Sequence, residues 1–152
     1  MLDEYLSNTD SLTCYLKYFV KDLKGKRLLD YSSVKGIIQK ELESLDCRVV
    51  NINDYSSGKF DGIVINNIDN NYDRVLFDNL YNLLYEEGRV LLIMHVQKFD
   101  KCFDDETEDE YISKTKETIK DKFLIKEELV SGSSWKFLII LKNTIKWVFF
   151  LL

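Results

Sequence analysis

FDGIVINNIDNNYDRVLFDNLYNLLYEEGRVLLIMHV, residues 60–96, contains the pattern that decides the fold. FDGIVINNI at 60–68 is a short apolar run rich in branched side chains, the signature of a buried strand. In YDRVLFDNLYNLLYEE at 72–87 the period changes: Val75, Leu76, Phe77, Leu80, Leu83 and Leu84 recur at helical spacing, and Gly88 is positioned to stop the helix. RVLLIMHV at 89–96 is nearly continuous in apolar residues, as a strand covered on both faces must be, which predicts the middle of the sheet. Strand, helix and strand in this order make a parallel βαβ unit.

The same alternation extends towards the N-terminus. RLLDY at 27–31 is a strand candidate, VKGIIQKELESL at 34–45 a helix and CRVVNIN at 47–53 a second strand. Ahead of them Leu12, Tyr15, Leu16, Phe19, Val20 and Leu23 share one helical face, with Asp10 or Ser11 as cap and Gly25 just past the end. Towards the C-terminus, DDETEDE at 104–110 reads as a solvated loop running into the acidic first turn of a helix that ends near Lys122. FLIKEELV and WKFLIILK follow, separated by SGSS at 131–134, a connection too short for a parallel crossover. They must pair as an antiparallel hairpin.

The expected architecture is therefore α/β with three layers: a mostly parallel, Rossmann-like sheet of about six strands ending in an antiparallel hairpin, with a helix in front. A length of 152 residues with 45% hydrophobic and 31% charged side chains suits one domain. We divide it into a leading helix (1–25), an α/β core (26–142) and an apolar tail (143–152). The absence of proline and the presence of only 6 glycines exclude collagen-like and low-complexity readings.

A net charge of −5 has the wrong sign for phosphate-driven nucleic-acid binding. Cys14, Cys47 and Cys102 are widely spaced and the chain has a single histidine, so neither a zinc site nor a disulfide framework is indicated, and a reducing cytoplasm is the expected location. The acidic start MLDEYLSNTD is unlike a secretory signal. WVFFLL at 147–152 is far below the roughly 20 residues needed to span a membrane; it either packs on the domain or docks a partner.

This order of elements resembles the class I S-adenosylmethionine-dependent methyltransferase family. RLLDYSSVKG at 27–36 aligns with that family's first motif, LDxGxGxG, placing Asp30 at the acid and Gly36 at the last glycine, while Ser32 and Val34 stand at the first two glycines. The 60–93 stretch is similar to the family's fourth strand, following helix and fifth strand. The resemblance implies S-adenosylmethionine as cofactor, with Asp30, Ser32, Gly36, Asn53, Asp54 and Asn67 as binding positions. The family's ribose-binding acid aligns with Asn53. The β-branched Val34 resists the positive φ and close approach that glycine allows, so the cofactor turn is degenerate. Residues 54–59 alone separate the second strand from Phe60, where the family fits a helix, a strand and another helix. Their loss leaves an open sheet edge near Asn51, and that edge or the C-terminal tail is the expected contact for a homo- or hetero-oligomeric partner.

Ligands in open α/β sheets sit beyond the carboxyl ends of the strands, at the topological switch point. That rule selects Asp30, Ser32, Ser33, Asn53, Asp54, Asn66, Asn67, Asp69 and His95. Asp30 either shapes the cofactor turn or caps the next helix, and Ser32 and Ser33 suit caps as well as ligands. Asn66, with Asn67 and Asp69, stands where the family holds its acceptor, though Asn-rich stretches are also ordinary turns. His95, at the end of the central strand, is either a general base or a hydrogen-bonded core residue. Two functions follow: a methyltransferase-like protein with a degenerate cofactor site, or a non-catalytic scaffold or regulatory subunit on the same fold.

Overall fold

The computed structural model describes residues 12–23, 25–32, 36–66, 73–95, 108–131 and 135–143. The six strands are β1 (Arg27–Asp30), β2 (Arg48–Asn51), β3 (Phe60–Asn66), β4 (Leu84–His95), β5 (Phe123–Ser131) and β6 (Trp135–Lys142). The described helices are α1 (12–19), α2 (Ile37–Ser44), α3 (Arg74–Leu83) and α4 (Glu108–Ile119). The sheet order is β2-β1-β3-β4-β6-β5. β1 pairs parallel with β2 and β3, β3 parallel with β4, and the closing hairpin β5–β6 pairs antiparallel and lays β6 along β4.

Two apolar layers follow from the period of two along the strands. Leu29, Ile63, Ile65, Val90, Leu92, Leu138 and Ile140 turn to one face and meet Leu76, Phe77 and Leu80 of α3 and Ile112 and Ile119 of α4. Leu28, Val64, Leu91, Ile93, Phe137 and Ile139 turn to the other and meet Leu12, Leu16 and Phe19 of α1 and Ile38 and Leu42 of α2. Helices on both faces make the expected three layers. As the run 89–96 implied, β4 is central, with Val90, Leu91, Leu92 and Ile93 all sealed from solvent.

The helical stretch after β3 is shorter than its periodicity suggests. α3 ends at Leu83, and residues 84–87 already belong to β4 instead of extending the helix to Gly88. The fully buried Leu84 pairs with Phe60, and the Lys142 ammonium donates to its carbonyl at 3.0 Å, so tertiary contacts override local propensity. Val75 also departs from expectation: it is exposed, and the face that packs is Leu76, Phe77 and Leu80. Asp73 caps α3 by accepting the N–H of Leu76 at 2.9 Å. The proposed caps Asp10 and Ser11 and the tail 144–152 lie outside the described residues.

The short link from β2 to β3 is a 3₁₀ turn (Ile52–Asp54) and a loop pinned by Arg27, whose Nη1 and Nη2 donate to the carbonyls of Lys59 (3.1 Å) and Ser57 (2.9 Å) while its guanidinium lies 4.3 Å from the Phe60 ring centre. Gly58 turns this loop with φ +99°, and a Cβ there would run into that guanidinium. Gly58→Ala is expected to lower stability by about 1–2 kcal/mol, the cost of a left-handed alanine, read as a lower urea midpoint with an unchanged slope.

Candidate functional site

β1 leads through α2 to β2 on one side, while β3 leads through α3 to β4 on the other. α2 and α3 pack on opposite faces, so the switch point falls between the carboxyl ends of β1 and β3. Asp30 closes β1 there, in register with Asn51 of β2 and Val64 of β3.

Asp30 is 0% exposed, and neither carboxylate oxygen completes a hydrogen bond. The Ser32 hydroxyl, the Asn51 side chain and the N–H groups of Gln39 and Ser32 lie near enough to favour its charge, but burial outweighs them and raises its pKa above the usual aspartate value. It therefore does not cap α2 in the ordinary way. The N-cap of α2 is Gly36, at φ 100°, with no side-chain cap and open space where a Cβ would stand. A glycine with free space beside it at the start of a helix leaves the backbone open to close approach.

Ser32 does not cap α2 either. It is buried, and its Oγ accepts the backbone N–H of Asn66 at 3.3 Å, stitching the ends of β1 and β3 together. Asn53 and Asp54 are exposed on the 3₁₀ turn beyond β2. The residue that sequence reasoning missed is Asn51. Its Oδ1 accepts the Asn53 N–H at 2.9 Å, while its Nδ2 is buried without a partner beside Asp30. The signal was present as an asparagine followed two residues later by another polar residue at a strand end, the pattern of an Asx turn.

Asp30, Ser32, Gly36, Asn51, Asn53, Asp54 and Asn66 thus gather at one end of the sheet. His95 ends β4 at the same end, two positions beyond Ile93, the register partner of Asn66, and only its backbone position is described. Asn67, Asp69, Ser33, Val34 and Cys102 lie outside the described residues. Cys14 is exposed and Cys47 buried, and both are free thiols. Among the described residues no group of His, Cys, Asp or Glu could hold a metal ion, and no helix is long and apolar enough to cross a membrane.

No protein-family model matches the sequence, and no curated protein is significantly similar to it. Solved structures are. The N-methyltransferase NodS from Bradyrhizobium japonicum WM9 superposes with a TM-score of 0.67 at 10% identity, over 88% of this chain and 96% of that one. Magnesium protoporphyrin IX methyltransferase from Synechocystis PCC 6803, solved with bound SAM, gives 0.66 at 12% identity, over 91% and 81%. The fold is that of the class I methyltransferases. Fibrillarin from Methanococcus jannaschii, a pre-rRNA processing protein, shares this methyltransferase fold with a TM-score of 0.54 at 13% identity, over 78% of this chain and 67% of that one.

Proposed function

We propose that this chain is a methyltransferase-like protein that binds S-adenosylmethionine in a degenerate crevice at the carboxyl ends of β1, β2 and β3. The observation that carries the reading is the orphaned polar pair at the switch point. Asp30 keeps two buried oxygens without a hydrogen bond and Asn51 keeps a buried amide without one, at the place where ligands of such sheets are held. A natural structure tolerates such groups where binding completes them. Gly36, open on its Cβ side, fits a cofactor-lined turn, and Asn53 and Asp54 present exposed polar groups at the tip of β2. The cofactor would supply a methyl group on a sulfonium that carries its own leaving-group activation. The chain would supply positioning, with Asn66 or His95 offered to an acceptor's hydroxyl or amine.

Titration calorimetry with S-adenosylmethionine and S-adenosylhomocysteine tests this reading. Binding of micromolar order, about −8 kcal/mol, is expected, with Asp30→Asn weakening it at least tenfold. Silence at millimolar ligand would overturn it for the isolated chain. A second reading, a non-catalytic scaffold that joins a partner, draws support from β2, which ends the sheet with no further strand paired to its outer side among the described residues. A stable assembly in solution whose formation is abolished by charge substitutions at Val49 and Val50, with no cofactor bound, would favour it.

A further inference from the structure

Arg89 stands at the other end of the sheet and takes no part in the crevice: its register partner on β3 is Gly62, whereas the crevice residue Asn66 pairs with Ile93. It shares the α1 face with Leu91 and Ile93, and its guanidinium lies 5.5 Å from the centre of the Phe19 ring. Both Nε and Nη2 are buried with no hydrogen-bond partner. These two N–H groups form one edge of the guanidinium, a pair of parallel donors shaped for two oxygens of a carboxylate or phosphate. Leaving a charged donor pair buried and unmade is costly; burial disfavours the Arg89 charge, and the attraction of Asp22 and Tyr18 offsets this only in part.

A cavity of about 140 Å³ opens beside Arg89, many times the roughly 10–15 Å³ that one water needs. Lys21 and Lys126 line it together with Arg89, Tyr18 and Phe19, and Asp22 is the single carboxylate among the lining residues. In a chain of net charge −5 this is a local reversal of sign. The Glu127 carboxylate nearby is engaged through Oε1 by the Tyr18 hydroxyl, while its Oε2 is buried without a partner. Arg89 and Asp22 also border a larger cleft of about 560 Å³, where Asp61, Glu86 and Glu87 against Lys26 leave an excess of negative charge that would repel an anion.

We infer that the cavity between α1 and the β5–β6 hairpin is a binding site for a small oxyanion, held on the Nε–Nη2 edge of Arg89 with Lys21 and Lys126 at its rim. The site is independent of the cofactor crevice. Calorimetry on the full chain with inorganic phosphate and with acetate, at ionic strength held constant with chloride, tests it. Binding of millimolar order is expected for at least one of the two, and which one is tighter distinguishes a phosphate from a carboxylate ligand. Arg89→Met should weaken it at least tenfold and Lys126→Gln about threefold, whereas Asp22→Asn should tighten it. Absence of binding for both anions at about 50 mM would overturn the inference, as would binding that survives both Arg89→Met and Lys126→Gln unchanged. Lys126 and Asp22 are exposed, so those two variants decide the matter should Arg89→Met fold poorly.

Discussion

Asp30→Asn is expected to make the ligand-free chain more stable at pH 7, by about 1–3 kcal/mol, because the amide keeps the size of the carboxyl group without a buried charge to desolvate. The folded protein raises the pKa of Asp30, chiefly through burial. A raised carboxyl pKa means that the native state favours the proton. The contribution is fully present below the unfolded-state value near 4 and is lost as pH rises through the folded value. Wild type should therefore weaken, at this group, as pH climbs out of the acid range, and the asparagine variant should lack that component. Urea midpoints of both chains from pH 4 to pH 8 read it directly. Equal pH profiles would show that Asp30 is satisfied in solution. Paired with the cofactor titration, the substitution separates function from stability, because a group retained for binding should cost affinity when replaced even as the fold gains.

Phe137→Ala should have the largest destabilising effect, about 3–5 kcal/mol, from the loss of a buried aromatic ring and the cavity it leaves. Phe137 lies on β6 with 0% exposure, pairs with Ile93 on β4 and Leu129 on β5, and stacks on Tyr15 of α1 with ring centres 4.1 Å apart and planes 28° from parallel. It joins the hairpin, the central strand and the leading helix. For a domain of this size the melting temperature should fall by roughly 6–20 °C, measured by circular dichroism. Phe137→Leu, which keeps most of the volume, should recover much of the loss. A drop of only a degree or two would mean that α1 does not depend on this contact.

Much of the fold was legible because its strongest signals are physical necessities. Val90 to Ile93 had to be covered on both faces, SGSS could join only an antiparallel pair, and the alternation of Ile63, Val64 and Ile65 required helices above and below. The end of α3 was not legible. Leu84 continues the helical spacing perfectly, and only its pairing with Phe60 and the Lys142 contact, distant in sequence, draw it into the strand. For the candidate site, the strand and helix patterns were enough to place Asp30 at the end of β1 and Gly36 at the start of α2. Ser32 suited a cap equally well, and nothing local shows that its hydroxyl reaches across to Asn66. Asn51 escaped notice because its importance comes from lying opposite Asp30, which is a fact of register.

The place of β6 has a consequence for how the chain is made. β4 lies between β3 and β6, yet β6 begins at Trp135, well after β4 ends at His95. During synthesis the most apolar strand therefore leaves the ribosome with one flank bare. It stays so while the ribosome adds the next several dozen residues, a matter of seconds at about 5–20 residues per second. A nascent chain interrupted before Lys142 would hold an open, sticky centre, so chaperone capture and clumping of fragments should concentrate on products that stop short of that strand.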